Sequence, residues 1–311
     1  IMLWMKPEEN GVWEGEKTVE PGIGQVVLTL GDGESMPLKR DTNRLIFGGT
    51  MLQVRNERGT LVYSRIKSKE ASEKIVYNTL TVPVRERFQL VLADGTKVFL
   101  NSGSEMRYPE RFGKARREVF LKGEAWFEVA KDSAREFWVH AGAMDVKVLG
   151  TSFNVKAYER LETVATTLVE GSVEVACAGK SFQIVPGEQF VYDKNNRVMD
   201  VRMVDTESYV SWKDGYYKFR QTTLEEIMET LSVWYGLNVF YVNESAKQVE
   251  FTGKVKRYED ARMLLDKFEQ TGDVVFDIKG NNVFITIKQK KPFAREWNSF
   301  LVKARGMVWQ S

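Results

Sequence analysis

Residues 88–100 read FQLVLADGTKVFL, which places two runs of β-forming residues on either side of Asp94-Gly95. An Asp-Gly pair between apolar runs is a strong hairpin signal, because tight turns need positive φ and glycine adopts it at little steric cost. The same pattern occurs 62 residues earlier, as LTLGDGESMPL at 28–38. We therefore predict a β-hairpin with a two-residue primed turn in each copy.

Short runs rich in Val, Leu, Ile, Phe and Tyr continue from Gly22 to Asp205 and are separated by turn residues. Many of these runs alternate apolar and polar residues, as expected for sheets with one face on a core and one on water. No segment of this half has a helical period. The predicted fold class is mainly β, an antiparallel sandwich or roll, followed by a smaller α+β part. Arg117–Leu121 and Ala125–Val129 are predicted as two of the strands.

The composition argues against several classes of function. The 311 residues include 45 Lys+Arg and 43 Asp+Glu, a formal charge of +2. Neutralising many phosphates would need a larger basic excess, so we expect no nucleic-acid partner. The single cysteine, Cys177, and the single histidine, His140, allow no internal disulfide and no His-rich metal site, so we expect no metal and no cofactor. No run of 18 apolar residues is present, so we predict no membrane-spanning segment.

The residue pattern changes near Ser208, where helical segments begin to alternate with strands. A hydroxyl cap at Thr222-Thr223 predicts a helix start, and Gly236 predicts the helix end. A similar unit follows 34 residues later and ends at Gly272. We predict a duplicated βαβ unit closed by a hairpin. Its predicted elements are strand 216–219, helix 224–235, strand 237–242, strand 249–256, helix 259–270 and strands 274–278 and 283–287.

Several stretches resemble the signatures of the FecR domain. In chain order they are NTLTVP (78–83), LADGTKVFLNS (92–102), RYP (107–109), LKGEAWFEV (121–129), VLGTSFNV (148–155), LVEGSV (168–173) and PGE (186–188). The duplicated unit is similar to the short domain that follows FecR domains. That domain is itself like the STN signalling domain at the periplasmic start of TonB-dependent transporters.

The resemblance implies the periplasmic part of an inner-membrane anti-sigma regulator of the glycan-uptake branch. In such a protein a cytoplasmic region binds an extracytoplasmic-function (ECF) sigma factor, one helix crosses the membrane, and the periplasmic part binds the signalling domain of a SusC-like, TonB-dependent outer-membrane transporter. The apolar Ile1–Met5 fits the periplasmic exit of the membrane helix. The implied domains are a juxtamembrane linker (1–21), an N-terminal β region (22–77), a FecR β domain (78–208), an STN-like domain (209–290) and a C-terminal helical tail (291–311).

An exposed strand edge can bind a partner by backbone pairing. We predict the docking edge at Val239–Tyr241 or at Val249–Thr252. The alternative is that these two strands pair with each other and the partner docks elsewhere. The candidate contact residues are Val239, Phe240, Tyr241, Val249, Phe251 and Thr252.

The pair Gly150-Thr151 is the candidate for self-cleavage. In a subset of FecR-type regulators, the resemblance implies, the threonine hydroxyl attacks the preceding carbonyl, the acyl group shifts from nitrogen to oxygen, and water cleaves the ester. The alternative is a turn or bulge glycine before an ordinary strand. Apart from this step we predict no enzyme activity.

Two other functions stay open at the level of sequence. One is a secreted or surface β-rich carbohydrate-binding or adhesion module, and the other is a glycan-acting enzyme that uses paired carboxylates. The tail also has a helical pattern that predicts packing on the domain or on another chain. Its apolar positions are Phe293, Trp297, Phe300, Leu301 and Ala304.

Overall fold

The computed structural model of the chain describes residues 24–38, 44–48, 52–57, 60–65, 75–256 and 260–288. Within them a β-rich part precedes an α+β part, as the sequence predicts. The strands of the β-rich part are β1 (Val26–Thr29), β2 (Ser35–Leu38), β3 (Arg44–Gly48), β4 (Leu52–Glu57), β5 (Thr60–Arg65), β6 (Tyr77–Val82), β7 (Phe88–Val91), β8 (Lys97–Leu100), β9 (Ser104–Pro109), β10 (Arg117–Glu128), β11 (Phe137–Ala141), β12 (Met144–Val148), β13 (Ser152–Ala157), β14 (Thr163–Glu170), β15 (Val173–Cys177), β16 (Lys180–Ile184), β17 (Glu188–Asp193) and β18 (Val198–Met203).

These strands form a two-layer sandwich, one of the two predicted forms. Sheet A has the strand order β2–β1–β6–β9–β10–β11–β12–β15–β16. Sheet B has the order β3–β4–β5–β7–β8–β10–β13–β14–β17–β18. All of these pairs are antiparallel except β5–β7 and β10–β11.

Alternation along the strands builds the core between the two sheets. In β11, for example, Phe137, Val139 and Ala141 are fully buried, whereas Trp138 and His140 between them are only partly buried. Successive side chains of a strand point to opposite faces, so every second residue enters the core. One apolar cluster therefore lies between the two sheets among the residues whose side chains the structure describes.

Both predicted hairpins are present, as β1–β2 and β7–β8, but the two-residue primed turn is wrong. Gly95 has φ +88°, whereas Asp94 does not have positive φ. The Leu92 amide donates to the Thr96 carbonyl at 2.8 Å, which closes a three-residue loop. The Asp94 carboxylate stabilises this loop by accepting from the Thr96 amide at 2.9 Å. A loop with glycine in the left-handed region at its last position is the next commonest hairpin connection.

Strand β10 corrects a second prediction, because it is one continuous strand of 12 residues rather than two strands. Its first half pairs within sheet A, and its second half pairs with β8 and β13 in sheet B. Gly123, with φ +104°, lies where the strand passes from one sheet to the other. A Cβ there would approach Ser104 Oγ to 2.4 Å, so only glycine fits this crossing.

The α+β part contains three α-helices, two 3₁₀ helices and five strands within the described residues. They are α1 (Thr206–Val210), a 3₁₀ helix (Ser211–Asp214), β19 (Tyr216–Thr223), α2 (Leu224–Tyr235), β20 (Asn238–Tyr241), a 3₁₀ helix (Glu244–Gln248), β21 (Glu250–Lys256), α3 (Ala261–Thr271), β22 (Val274–Lys279) and β23 (Asn282–Ile287).

Helix ends were predicted more accurately at α2 than at α3. The Thr223 hydroxyl caps α2 by accepting from the Glu226 amide, and Gly236 ends the helix in the left-handed region, both as predicted. Helix α3 begins at Ala261, capped by Asp260, rather than at 259. Gly272 does follow α3, but its backbone is extended. Glycine is needed here because a side chain would not fit: a Cβ would lie 2.7 Å from the Phe251 ring.

The element order of the duplicated unit is confirmed, but its sheets are not those of a βαβ unit. A βαβ unit pairs its two strands in one sheet. Here β19 pairs with β21 in an antiparallel two-stranded sheet, and β20 pairs with β23 in a separate sheet of order β20–β23–β22. Helices α2 and α3 share one apolar core with both sheets.

Some elements had not been predicted as strands or helices, namely β6, β9, β18, α1 and the two 3₁₀ helices. The predicted boundary at residue 78 lies inside β6, and that at 208 lies inside α1. The linker (1–21) with Ile1–Met5 and the tail (291–311) with its amphipathic pattern lie outside the described residues. None of the described helices combines the length and apolar character needed to cross a membrane.

Candidate functional site

The first predicted docking segment, Val239–Tyr241, lies in β20. Among the described residues this strand pairs only with β23, so its other edge is open. Val239 and Tyr241 pack against the domain core, whereas Phe240 is 47% exposed and stacks on Phe284 at a ring distance of 5.1 Å. Burial raises the pKa of the Tyr241 phenol above its ordinary range, so the side chain stays neutral. The strand therefore offers backbone groups and one aromatic ring to a partner.

The second predicted segment, Val249–Thr252, lies at the start of β21, in the other sheet. The Val249 carbonyl accepts from the Leu224 amide at 2.7 Å, and Phe251 is buried against Phe268 at 4.8 Å. Thr252 is exposed, and its hydroxyl accepts from the Gln221 amide at 2.9 Å. The two segments do not pair with each other, since β20 pairs with β23 and β21 with β19.

Gly150-Thr151 lies just before β13, beside a shallow pocket of about 220 Å³ lined also by Lys131 and Glu170. Thr151 is buried, and its hydroxyl donates to the Ser172 carbonyl at 3.0 Å. A Cβ at Gly150 would lie 2.8 Å from the Lys131 backbone, so close packing requires this glycine.

Self-cleavage between Gly150 and Thr151 stays a prediction of the resemblance. It requires the Thr151 hydroxyl to leave the Ser172 carbonyl and attack the Gly150 carbonyl carbon. The peptide C–N bond then breaks, the hydroxyl proton passes to the freed Thr151 amine, and water hydrolyses the resulting ester. Long incubation of the purified chain should then yield fragments 1–150 and 151–311, and Thr151→Ala should remain whole. Mass spectrometry distinguishes these results, and an intact wild-type chain contradicts the prediction.

A buried polar network joins the sandwich to the α+β part. The Glu124 carboxylate of β10 accepts from the side-chain amide of Asn101 at 2.6 Å and from that of Asn154 at 2.9 Å. The Asn154 side-chain carbonyl accepts from the indole N–H of Trp212 at 3.2 Å. All four side chains are buried. Hydrogen bonds to a charged group in a low-dielectric interior are among the strongest, so the network fixes the start of the α+β part on the sandwich.

A second group of contacts holds the C-terminal end of α2. The Ser102 hydroxyl donates to the Val233 carbonyl at 3.2 Å, and the Arg85 guanidinium donates to the Tyr235 carbonyl at 3.2 Å. The last carbonyls of a helix lack partners within the helix and carry partial negative charge, so a hydroxyl and a cation are well matched to them. The other end of α2 also contacts the sandwich, because Glu226 in its first turn lies 4.0 Å from Arg202 of β18.

The core of the α+β part also includes residues of the sandwich. Trp126 of β10 is 4% exposed and belongs to that core, and Phe99 and Val169 pack against it. These side chains lie on the outer face of sheet B, on the opposite side from the sandwich core. The α+β part therefore forms a third layer on sheet B. We call this contact, made by Glu124, Asn154, Trp126 and their partners, the joint.

The contacts between the sandwich and the α+β part were not predicted as a site, although several of their residues lie within the FecR-like signatures, namely Asn101, Ser102, Glu124, Trp126 and Asn154. The available signal was that Glu124, Trp126 and Asn154 alternate with core residues, which puts polar and aromatic groups together on an outer face. Within the described residues, no group of three His, Cys, Asp or Glu side chains could hold a metal ion.

Two family models match the chain, FecR protein at residues 78–174 and FecR, C-terminal, at residues 216–285, together more than half of its length. Among solved structures, a crystal structure of a candidate anti-sigma factor from Parabacteroides distasonis is 28% identical with a TM-score of 0.62, covering 68% of this chain and 99% of its own. A second, also described as a candidate anti-sigma factor from that organism, is 27% identical with a TM-score of 0.62, covering 69% and 100%. No match was found among curated proteins.

Proposed function

The chain belongs to the FecR family, and on this premise we propose that it is the periplasmic sensor part of an inner-membrane anti-sigma regulator. In this proposal it binds the STN-type signalling domain of a SusC-like, TonB-dependent outer-membrane transporter of the glycan-uptake branch. It then relays substrate status to an ECF sigma factor, which a cytoplasmic region of the full-length protein binds. The similarity to two structures described as candidate anti-sigma factors supports the regulatory role.

One observation carries the proposal: an open strand edge lies on a domain that shares its core with the sandwich. The edge of β20 presents backbone groups and the exposed Phe240. The same domain takes Trp126 of β10 into its core. A partner that pairs with β20 can therefore act on the sandwich through packed side chains, because such networks transmit coupling between sites.

Titration calorimetry of this chain with the isolated signalling domains of neighbouring transporters tests the proposal. We expect one domain to bind with a dissociation constant of roughly micromolar size, typical of a transient signalling contact. The signalling domain of an unrelated transporter is the matched control and should not bind. Absence of binding to every neighbouring domain overturns the proposal. Retention on insoluble polysaccharide in the same preparation would then favour the carbohydrate-binding module.

A further inference from the structure

A cleft of about 320 Å³ lies beside the joint, between the outer face of sheet B and helix α2. Ala165 of β14 and Val191 of β17 line the sheet wall, and Thr230 lines the helix wall. Protein interiors leave few spaces larger than a water molecule, and small-molecule sites form preferentially between domains. The volume of the cleft is at the lower end of the range for such sites.

Six of the eight charged side chains that line the cleft are in ion pairs, whereas the Glu124 carboxylate accepts from two side-chain amides and Glu162 is exposed to solvent. Lys156 of the sheet wall lies 3.8 Å from Glu229 of α2, and Arg202 lies 4.0 Å from Glu226. Two further charged lining residues are paired away from the cleft, Glu225 with Lys247 at 3.4 Å and Lys218 with Glu207. A ligand with a net charge would have to separate one of these pairs. Because most of the charged groups are already paired, the cleft favours a neutral ligand.

The remaining polar groups of the walls both donate and accept hydrogen bonds. The Ser208 hydroxyl lines the cleft, is buried, and has no hydrogen-bond partner within the described part of the chain. The hydroxyl of Thr163 lines the same space, as does the Gln189 amide, which is held by Thr167 and Arg202, and the rings of Tyr209 and Trp212 supply apolar surface. Groups of this kind match a molecule that carries several hydroxyls on a carbon ring.

We propose that this cleft binds a small neutral polyhydroxylated molecule, a mono- or disaccharide. The inference goes beyond the proposed function, in which the transporter rather than this chain meets the substrate, and it does not depend on transporter binding. Because the two walls belong to different parts of the chain, the bound sugar holds α2 against sheet B. Its occupancy therefore stabilises the joint.

Titration calorimetry of the purified chain with D-glucose, D-galactose, D-xylose and maltose tests the chemistry of the ligand. We expect at least one of these neutral sugars to bind saturably at millimolar concentration, and D-glucuronate and L-alanine to bind at least tenfold more weakly. The proposal is overturned if none of the four sugars binds below about 50 mM. It is also overturned if glucuronate, an anion, or alanine, a zwitterion, binds more tightly than every neutral sugar.

Variants that fill the cleft test its location. Ala165→Leu fills it from the sheet wall and Thr230→Phe from the helix wall, and each should weaken sugar binding at least tenfold. Ala143→Leu, in the exposed turn between β11 and β12, is the matched control and should bind like the wild type. Circular dichroism establishes which variants fold. A folded cleft variant that binds sugar with wild-type affinity overturns the proposal, and neither result bears on transporter binding.

Discussion

At the residue scale, Asn154 is the central hydrogen-bonding residue of the joint because both ends of its amide are used. Its nitrogen donates to Glu124 and its oxygen accepts from Trp212. An amide group supplies a donor and an acceptor without any change of protonation, and Gln, the other side chain with an amide, is one methylene longer. Replacing it would leave a carboxylate oxygen and an indole N–H buried without these partners.

We therefore expect Asn154→Ala to lower the free energy of unfolding by roughly 2–4 kcal/mol, since each buried group left unsatisfied costs about 1–3 kcal/mol. Urea denaturation followed by tryptophan fluorescence measures this change. Asn195→Ala, in the exposed turn between β17 and β18, is the matched control and should change stability by less than about 0.5 kcal/mol. Equal losses in the two variants would contradict a role for Asn154 in the joint.

The stability of the same contact depends on pH because of Glu229. Burial raises the pKa of its carboxyl, Lys156 at 3.8 Å opposes this, and the neighbouring Glu225 and Glu226 raise the pKa further. The folded state therefore binds the proton more tightly than the unfolded state. Proton binding by Glu229 therefore contributes to stability at pH values below the pKa that this carboxyl has in the unfolded state. The contribution is lost as the pH rises through the higher pKa of the folded state.

Glu229→Gln mimics the protonated form, so it should raise the melting temperature at about pH 7.5, with a gain that shrinks towards about pH 4. Thermal denaturation across this range measures the difference from wild type. Glu250→Gln, on the exposed start of β21, should give no pH-dependent gain. A Glu229→Gln gain that grows as pH falls would show that the sign is wrong.

At the element scale, the directions of the β20 amides decide how a partner can bind. The amides of Asn238 and Val242 donate to carbonyls on the β23 side. Amides alternate in direction along a strand, so those of Val239 and Tyr241 point to the open edge. Strand β22 forms the opposite edge of the same sheet. The Lys288 amide donates to the Asp273 carbonyl, so the backbone groups of Asp273 point towards β23. Because the direction alternates along the strand, the amide of Ile278 points to the outer edge.

Val239→Pro removes one outward amide without removing a bond to β23, so it should weaken binding of the transporter signalling domain at least tenfold. Ile278→Pro makes the equivalent change at the other edge and should leave that affinity within about twofold. Calorimetry measures both affinities, with circular dichroism as the check on folding. Loss of binding in Ile278→Pro alone would place the partner on β22 instead.

Local signals explain which elements could be predicted from the sequence. The Asp94-Gly95 hairpin and the Thr223 cap of α2 depend on residues within a few positions of each other, and both are found. The crossing at Gly123 depends on Ser104, and the role of Gly272 depends on Phe251, both far away in sequence. The joint could not be predicted because Asn101, Glu124 and Asn154 meet only through the strand order β8–β10–β13, which no single segment specifies.

At the scale of the whole molecule, the joint makes the sandwich and the α+β part depend on each other for stability. Trp126 belongs by sequence to the sandwich but packs in the core of the α+β part. Removing a large buried aromatic side chain from a core costs about 3–5 kcal/mol. In this molecule it is the α+β part that loses this stability, although the residue belongs to sheet B.

Trp126→Ala should therefore separate unfolding into two transitions, with the α+β part unfolding first. Hydrogen exchange followed by mass spectrometry measures this, since amides of α2 and β20 should lose protection while those of β11 and β12 retain it. Trp138→Ala, on the outer face of sheet A, is the matched control and should preserve protection in α2. Uniform loss of protection throughout the chain would contradict this role of Trp126.

The crossing of β10 between the sheets also governs the order in which the chain can fold. This strand pairs with β8 and β9, which precede it, and with β11 and β13, which follow it. Sheet A therefore cannot close around β10 until β11 has been made, and sheet B cannot do so until the chain has been made as far as Ala157. Non-local pairings of this kind slow folding, so the newly made segment from 88 to 128 has to wait, with strand edges exposed, for the residues that will cover it.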